Sequence, residues 1–489
     1  MHLLTRISLA LATSAALVTH ALAADAIVST LEPAPLGLPV IGKVKARHAR
    51  EITSSWWSVG GETLDRDFTD YQRYKQYLGP LGAKGIRVQT GWAKCEPKPG
   101  VYSWAWLDAV VDDAVAQGVR PWLEFNYGNP IYEGGGDISL GGGFPTSPTA
   151  LAAWYKWVRA LVTRYGDRVH EWEVWNEPDL DKTGISPVTQ YLELFLRTAT
   201  ITREVQPRAR IWALGLANTF TYAEEFLAGL QARGKLGLLD AITIHGYPKN
   251  PDDTTNVDRV RALLAKYGAK IEVRQGETGA PSKLQPNYAL SKLSWTETTQ
   301  AKWDLRRMLA HRAKDVPFNL FTMSDMHYIV GRTASSGTMS MNYKGLLATN
   351  PDKSIAYAKP IYFAAQSVFS IFDDSVTRIA EYPSTSTAIR ALAVTGYRSE
   401  TKGGGQLVAV WFNDAPPDDG HPVSRANLTL AAGKFTDPVL VDLRTSTVYA
   451  IAKDTWSQTK DGATFRDLPI YDSPVLIAER ATLGITAAP

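Results

Sequence analysis

The amino-acid sequence predicts an α/β protein in which a closed (β/α)8 barrel is followed by a β-sandwich. Three observations lead to that expectation. From Glu51 to about Phe372, eight strand-like runs alternate with helix-like ones, the pattern and the count that close a parallel barrel. After Phe372, short alternating runs separated by Gly, Asp and Pro clusters take over, which suits two antiparallel sheets. A chain of 489 residues also exceeds what one hydrophobic core organises, so a large domain with a smaller companion is expected.

Taken in order, the chain begins with a basic start at Met1–Arg6, an apolar run at Ile7–Val18 and the small-residue pattern Ala21-Leu22-Ala23. Together these predict a secretory signal peptide over residues 1–23, too short and too rich in Ala, Ser and Thr for a membrane span. An N-terminal segment at 24–50 precedes the barrel, assigned to 51–372. Its strands are expected at Ile52–Val59, Gly85–Trp92, Val119–Tyr127, Val169–Glu177, Arg210–Leu216, Ala241–Tyr247, Ile271–Glu277 and Phe318–Asp325. Helices are expected between them, for example at Trp104–Gln117, Ala150–Tyr165, Pro187–Val205, Val257–Tyr267 and Trp295–Ala313. An open doubly wound sheet is disfavoured because no strand is followed by a Gly-rich phosphate turn. The clusters Gly134–Gly136 and Gly141–Gly143 read as a flexible loop over the site. Residues 373–489 are assigned to the sandwich, with strands such as Ala391–Tyr397, Gln406–Asn413, Asn427–Leu430, Pro438–Leu443, Ser446–Ile451 and Pro474–Ile477.

Composition narrows the function classes. With 45% hydrophobic and 21% charged residues the chain is globular rather than disordered or fibrous. A net charge of +3 without a basic cluster gives no electrostatic footprint for nucleic acid. No later stretch qualifies as a membrane span, and Cys95 is the only cysteine, so stability must come from packing rather than disulfides. Export from a bacterium, to the periplasm or the medium, fits a leader combined with so little cysteine. There is no His-Glu-x-x-His helix, Cys/His cluster or Gly-x-Ser-x-Gly elbow, so no metal and no cofactor is expected.

The chain is organised around His170-Glu171-Trp172-Glu173-Val174-Trp175-Asn176-Glu177-Pro178, an apolar and aromatic run that suits a buried strand and stops at a proline. A carboxylate there, at the carboxyl end of a barrel strand, lies on the face where active sites form. Trp172-Glu173-Val174-Trp175-Asn176-Glu177-Pro178 resembles the acid/base signature of clan A glycoside hydrolases and is most similar to family 39. The resemblance implies that Glu177 is the general acid/base on the fourth strand, with Asn176 beside it. Hydrolysis of a glycoside takes a second carboxylate. Glu277, at the end of the expected seventh strand, corresponds to the clan's nucleophile, whereas Glu272 lies at the wrong end of that strand. His245 and Tyr247 alternate to one face, and the clan uses that arrangement to hydrogen-bond the two carboxylates. Arg87 matches a clan arginine whose charge would favour the ionised nucleophile. Gln89 stands where family 39 often has His, Asn126 ends the third strand, and Thr322-Met323-Ser324-Asp325-Met326 resembles a Thr-Phe-Ser-Asp segment of the family. Arg87, Gln89, Asn126, Asn176, His245, Tyr247 and Asp325 therefore form the expected substrate-binding set.

The resemblance further implies a sandwich packed on the barrel and partly built from the segment before the first strand. It implies a retaining enzyme, β-xylosidase-like, with an oligo- or polysaccharide as partner. Two other readings stand beside it: an endo-acting exopolysaccharide glycosidase of the same clan, and a non-catalytic carbohydrate-binding protein on the same barrel.

Overall fold

The structure, a computed structural model, describes residues 32–180, 186–268, 270–285, 287–291, 293–330, 338–401 and 404–487; the expected signal peptide at 1–23 lies outside them. A first strand, β1 (Val40–Val44), precedes a closed parallel barrel of β2 (Trp57–Gly60), β3 (Gly85–Gln89), β4 (Arg120–Phe125), β5 (Glu171–Val174), β6 (Arg210–Leu216), β7 (Ala241–His245), β8 (Glu272–Thr278) and β9 (Phe318–Leu320).

Several strands are shorter than their apolar runs. The first ladder starts only at Trp57, in a stretch where the Trp57 amide turns back to the Ser55 hydroxyl at 3.1 Å. β5 ends at Val174 because Trp175 and Glu177 take positive φ values of 68° and 48°. The chain has left the ladder before the proline arrives, and Glu177 sits on the turn above it. β9 ends at Leu320, after which Thr322 Oγ1 and the Met323 amide bond back to the Gly60 carbonyl and an antiparallel hairpin, Met326–Val330 with Thr338–Asn342, follows over the mouth.

Inside the barrel, register explains why charged residues interrupt apolar strands. Arg87 pairs with Trp122, Gln89 with Glu124, Glu124 with Glu173, and Glu173 with Trp212. Trp122 and Trp212 meet edge-on at 4.5 Å and plug the floor. The Arg87 guanidinium lies over the Trp122 ring at 5.5 Å. A polar layer therefore rests on an aromatic base, and the strand ends open above it.

The eight-stranded antiparallel sheet that contains β1 also holds Gln406–Phe412, Pro438–Asp442 and Val475–Glu479. These three strands are buried on both faces almost throughout. In Gln406–Phe412, Leu407, Ala409 and Trp411 join the barrel core, while Val408, Val410 and Phe412 join a second core under a four-stranded outer sheet. The inner sheet is thus a middle layer, which is why the run reads as continuously apolar. In the outer sheet, Ser424–Leu430 alternates exposed and buried positions from Arg425 onward. The last barrel helix before the hairpin, Glu297–Arg312, is buried along nearly its whole length between barrel and inner sheet. Lys302 Nζ reaches Asp472 Oδ1 at 2.7 Å, and Arg306 Nη1 reaches the Ala415 carbonyl at 2.9 Å, so the charges on this helix are neutralised or bonded across the contact.

Candidate active site

The ends of β5, β7 and β8 bring Glu177, His245 and Glu277 together: one donor atom from each lies within 4.8 Å of the others. His245 Nδ1 is 2.8 Å from Glu177 Oε1 and 3.6 Å from Glu277 Oε2. Tyr247, two residues on, donates its hydroxyl to Glu277 Oε1 at 2.5 Å. All four side chains line one cavity of about 520 Å³. Such a Glu-His-Glu set could in principle ligate a cation, but its members are already paired with one another or with Tyr247.

Burial sets the protonation of Glu177 and of its imidazole partner. Burial, helped by the charge of Asp179 and opposed by Arg87, pushes the Glu177 carboxyl up to about 8. Burial holds the His245 imidazole down at about 4, so it is neutral near neutral pH. With Glu177 protonated, its O–H donates to Nδ1 in the tautomer that carries its hydrogen on Nε2. Gly215 leaves room for this pair: its φ is +47°, and a Cβ there would sit 3.3 Å from both the Glu177 amide and His245 Nε2.

Arg87 is the centre of the layer below. Its Nε reaches Glu173 at 2.9 Å, Nη1 reaches Glu62 at 3.0 Å and Glu277 at 3.4 Å, and Nη2 reaches Glu124 at 2.9 Å and Asn176 Oδ1 at 2.8 Å. One guanidinium cannot neutralise four carboxylates. Burial accordingly raises Glu62 to about 7 and lifts Glu124 well above its ordinary range, so protons take the place of missing cations.

The remaining predicted residues take supporting places. Asn176 is buried and donates to the Tyr127 hydroxyl at 3.0 Å. Gln89 accepts from Arg66 at 2.6 Å, and Asn126 bonds the Gly91 amide and Glu124, both at 3.2 Å. Asp325 pairs with Lys359 at 2.6 Å and accepts from the Gly345 amide, outside the cavity lining. The Gly-rich loop does reach the cavity, through Leu140.

Other groups at the site were not read from the sequence. Glu124 and Glu173 had a signal, a charge within a strand-like run whose immediate neighbours are apolar, whereas Glu62, in Gly60-Gly61-Glu62-Thr63 past the first strand, had none. Tyr288, Phe321 and Tyr328, which line the cavity, and Lys344 beside them come from irregular segments and the hairpin, where no period announces them.

Comparison with known proteins agrees with this architecture. Residues 43–275 match the family described as Glycosyl hydrolases family 39, a stretch that contains Arg87, Glu177 and His245 and stops just before Glu277. Over 125 residues the chain is 30% identical to a β-xylosidase of Geobacillus stearothermophilus, a match that spans 24% of this chain and only 25% of that relative's length. In fold it is similar to a family 39 glycoside hydrolase from Bacteroides cellulosilyticus WH2 (TM-score 0.62, 18% identity, 87% of this chain and 81% of that one). It is also similar to a monomeric β-xylosidase from Caulobacter crescentus CB15 (TM-score 0.55, 18% identity, 90% and 97%). With its motif, its barrel and this match in agreement, the chain is similar to glycosyl hydrolases family 39 over residues 43–275, just under half of its length.

Proposed function

We propose that the protein is a retaining glycoside hydrolase that works by double displacement. The observation that supports this most directly is a pair of carboxylates facing one cavity with oxygens within 4.8 Å of each other, one buried and protonated, the other held by donors. Retaining enzymes hold the two groups about 5–5.5 Å apart, whereas inverting ones leave about 6.5–9.5 Å for a water.

In the first step a Glu277 carboxylate oxygen attacks the anomeric carbon while the Glu177 proton passes to the departing glycosidic oxygen. Tyr247 and Arg87 donate to Glu277 and hold its orientation until attack. The product is a glycosyl ester on Glu277. Glu177, now ionised, takes a proton from water, the water oxygen attacks the same carbon from the face the leaving group vacated, and Glu277 departs as a carboxylate. His245 positions Glu177 in both directions, since a neutral ring can accept from the acid or donate to its anion.

The substrate under this reading is an oligo- or polysaccharide of plant or microbial origin, and β-xylosides, after the names of the similar proteins, are the starting compounds. The same proposal assigns catalysis to 51–372 and a buttressing role to the sandwich of 373–489 with β1, in keeping with an inner sheet buried on both faces. It also places the mature protein outside the cytoplasm, starting near Ala24. Among the described residues no helix is long and apolar enough to cross a membrane.

The test is proton NMR of the first-formed sugar. The anomer of the substrate should appear first and then mutarotate; initial formation of the opposite anomer would exclude double displacement.

A further inference from the structure

Lys344 follows the Thr338–Asn342 strand of the hairpin and lines the same cavity as Glu177 and Glu277. It is 1% exposed. Its ammonium donates to the Ala289 carbonyl at 2.8 Å and stands 5.4 Å from the centre of the Tyr247 ring, whose hydroxyl holds Glu277. Among the described residues no carboxylate pairs with it. Glu277 and Asp304 are the acids whose charge it feels, and neither is at ion-pair distance. Asp304 bonds the Ala280 amide instead, and burial lifts its carboxyl well above the ordinary range, so it offers little negative charge.

The other buried lysines behave differently. Lys302 pairs with Asp472 at 2.7 Å and Lys359 with Asp325 at 2.6 Å, whereas Lys84 is satisfied by two carbonyls away from the cavity. Burying an ammonium without a counter-charge is costly, and the cost is relieved either by loss of its proton or by an anion brought to it, which beside a cavity a ligand can supply. Burial already holds this lysine down at about 7, so an anion arriving next to it would restore its charge.

We infer that Lys344 is a specificity-determining residue that binds an anionic group, the carboxylate of a hexuronate or a sulfate ester, on the sugar held next to Glu277. This rests on the glycosidase reading above and narrows its substrate to acidic glycans. Xylose, glucose and glucuronic acid share their ring configuration and differ only in the C5 substituent: hydrogen, hydroxymethyl or carboxylate. A β-glucuronide is therefore a β-xyloside carrying the anion the lysine lacks.

The experiment compares kcat/KM for the 4-nitrophenyl β-xyloside, β-glucoside, β-glucuronide and β-glucoside 6-sulfate on wild type, Lys344→Met and Lys344→Arg. A hydrogen bond to a charged group is worth about 10- to 100-fold. The wild type should prefer the better of the two anionic substrates to the glucoside by that factor, and the rank of glucuronide against sulfate identifies the anion. The anionic-to-neutral ratio should collapse in Lys344→Met and largely recover in Lys344→Arg. A wild type that prefers the glucoside or xyloside to both anionic substrates overturns the inference, and that comparison needs no variant to fold. An equal loss on all substrates in Lys344→Met also overturns it, since the lysine would then only brace Ala289 and Tyr247. If nothing is hydrolysed, calorimetry with D-glucuronate and D-glucose on the wild type separates the two claims. Tighter binding of glucuronate keeps the subsite while the glycosidase reading fails; equal or no binding removes the subsite as well.

Discussion

Glu177 and Glu277 are the same chemical group on neighbouring parts of one rim, and they differ in what lies behind them. Glu177 stands on a left-handed turn past β5, nearly buried, with a neutral imidazole as partner. Glu277 lies within β8 itself, receiving a phenolic hydrogen bond and the edge of a guanidinium. Burial without a donor favours the acid; donors favour the anion. The proton is assigned by the floor and walls of the barrel rather than by the carboxyls, and each prediction below breaks one side of that asymmetry.

The largest effects come from removing the groups themselves. Glu277→Ala should lose about 10⁴-fold or more on every substrate, because no covalent intermediate can form. Glu177→Ala should still form that intermediate from an aryl glycoside whose leaving group needs no proton, and azide should then accelerate turnover and give a glycosyl azide of retained configuration. If Glu277→Ala is the variant azide rescues, the roles are reversed; if both variants keep full activity, neither residue is catalytic.

Arg87 tests the floor. Arg87→Met leaves Glu62, Glu124, Glu173 and Glu277 without their shared cation, and stripping one partner from a buried charge network costs about 3–5 kcal/mol. Urea titration should show the midpoint falling with the slope unchanged. Arg87→Lys should recover only part of the loss, since one ammonium cannot make contacts that here leave from three nitrogens. An unaltered midpoint in Arg87→Met would mean the protons on the carboxylates suffice.

Tyr247→Phe acts on Glu277 alone. The lost bond to a charged acceptor is worth about 1.5–3 kcal/mol, or about 10- to 100-fold. Glu277 would leave the glycosyl ester less readily, so the second step should slow and pre-steady-state traces should show a burst of aryl product. The same variant slowing only the first step would place the tyrosine's role elsewhere.

This asymmetry was only half legible in the sequence. Glu177 announced itself because strand, turn and carboxylate are contiguous, and the apolar run breaks at Asn-Glu-Pro. The barrel was legible for the same reason, each strand and helix being a local period. The Arg87 layer was not, because its carboxylates come from four places that only barrel closure joins; what the sequence shows at Glu124 or Glu173 is one charge in an apolar strand. The strand ends were misjudged wherever backbone geometry, as at Trp175, or a side-chain bond, as at Thr322, overrode an apolar pattern. Lys344 had no signal at all, since its significance is the lack of an acidic partner among the described residues, and that exists only in three dimensions.

The smallest expected effect is a pH shift on the Glu177 side. The general acid must carry its proton, so kcat/KM on a substrate with a poor leaving group should fall as pH rises through about 8. An activated aryl glycoside, needing no proton, should lack that limb. Asp179 contributes to the raised value: its negative charge opposes ionisation of Glu177, while its own oxygens accept the amides of Ala217, Asn218 and Thr219 at 2.7–2.9 Å. Asp179→Asn removes the charge, so ionisation becomes easier and the alkaline limb should move to lower pH. The variant also weakens the turn after β6, two of whose residues line the cavity, and that loss would scale the whole profile down. Position and height are therefore separate readouts. A lower profile with its limb unmoved means that burial alone sets the proton on Glu177, and a limb moving upward would contradict the sign of the Asp179 charge altogether.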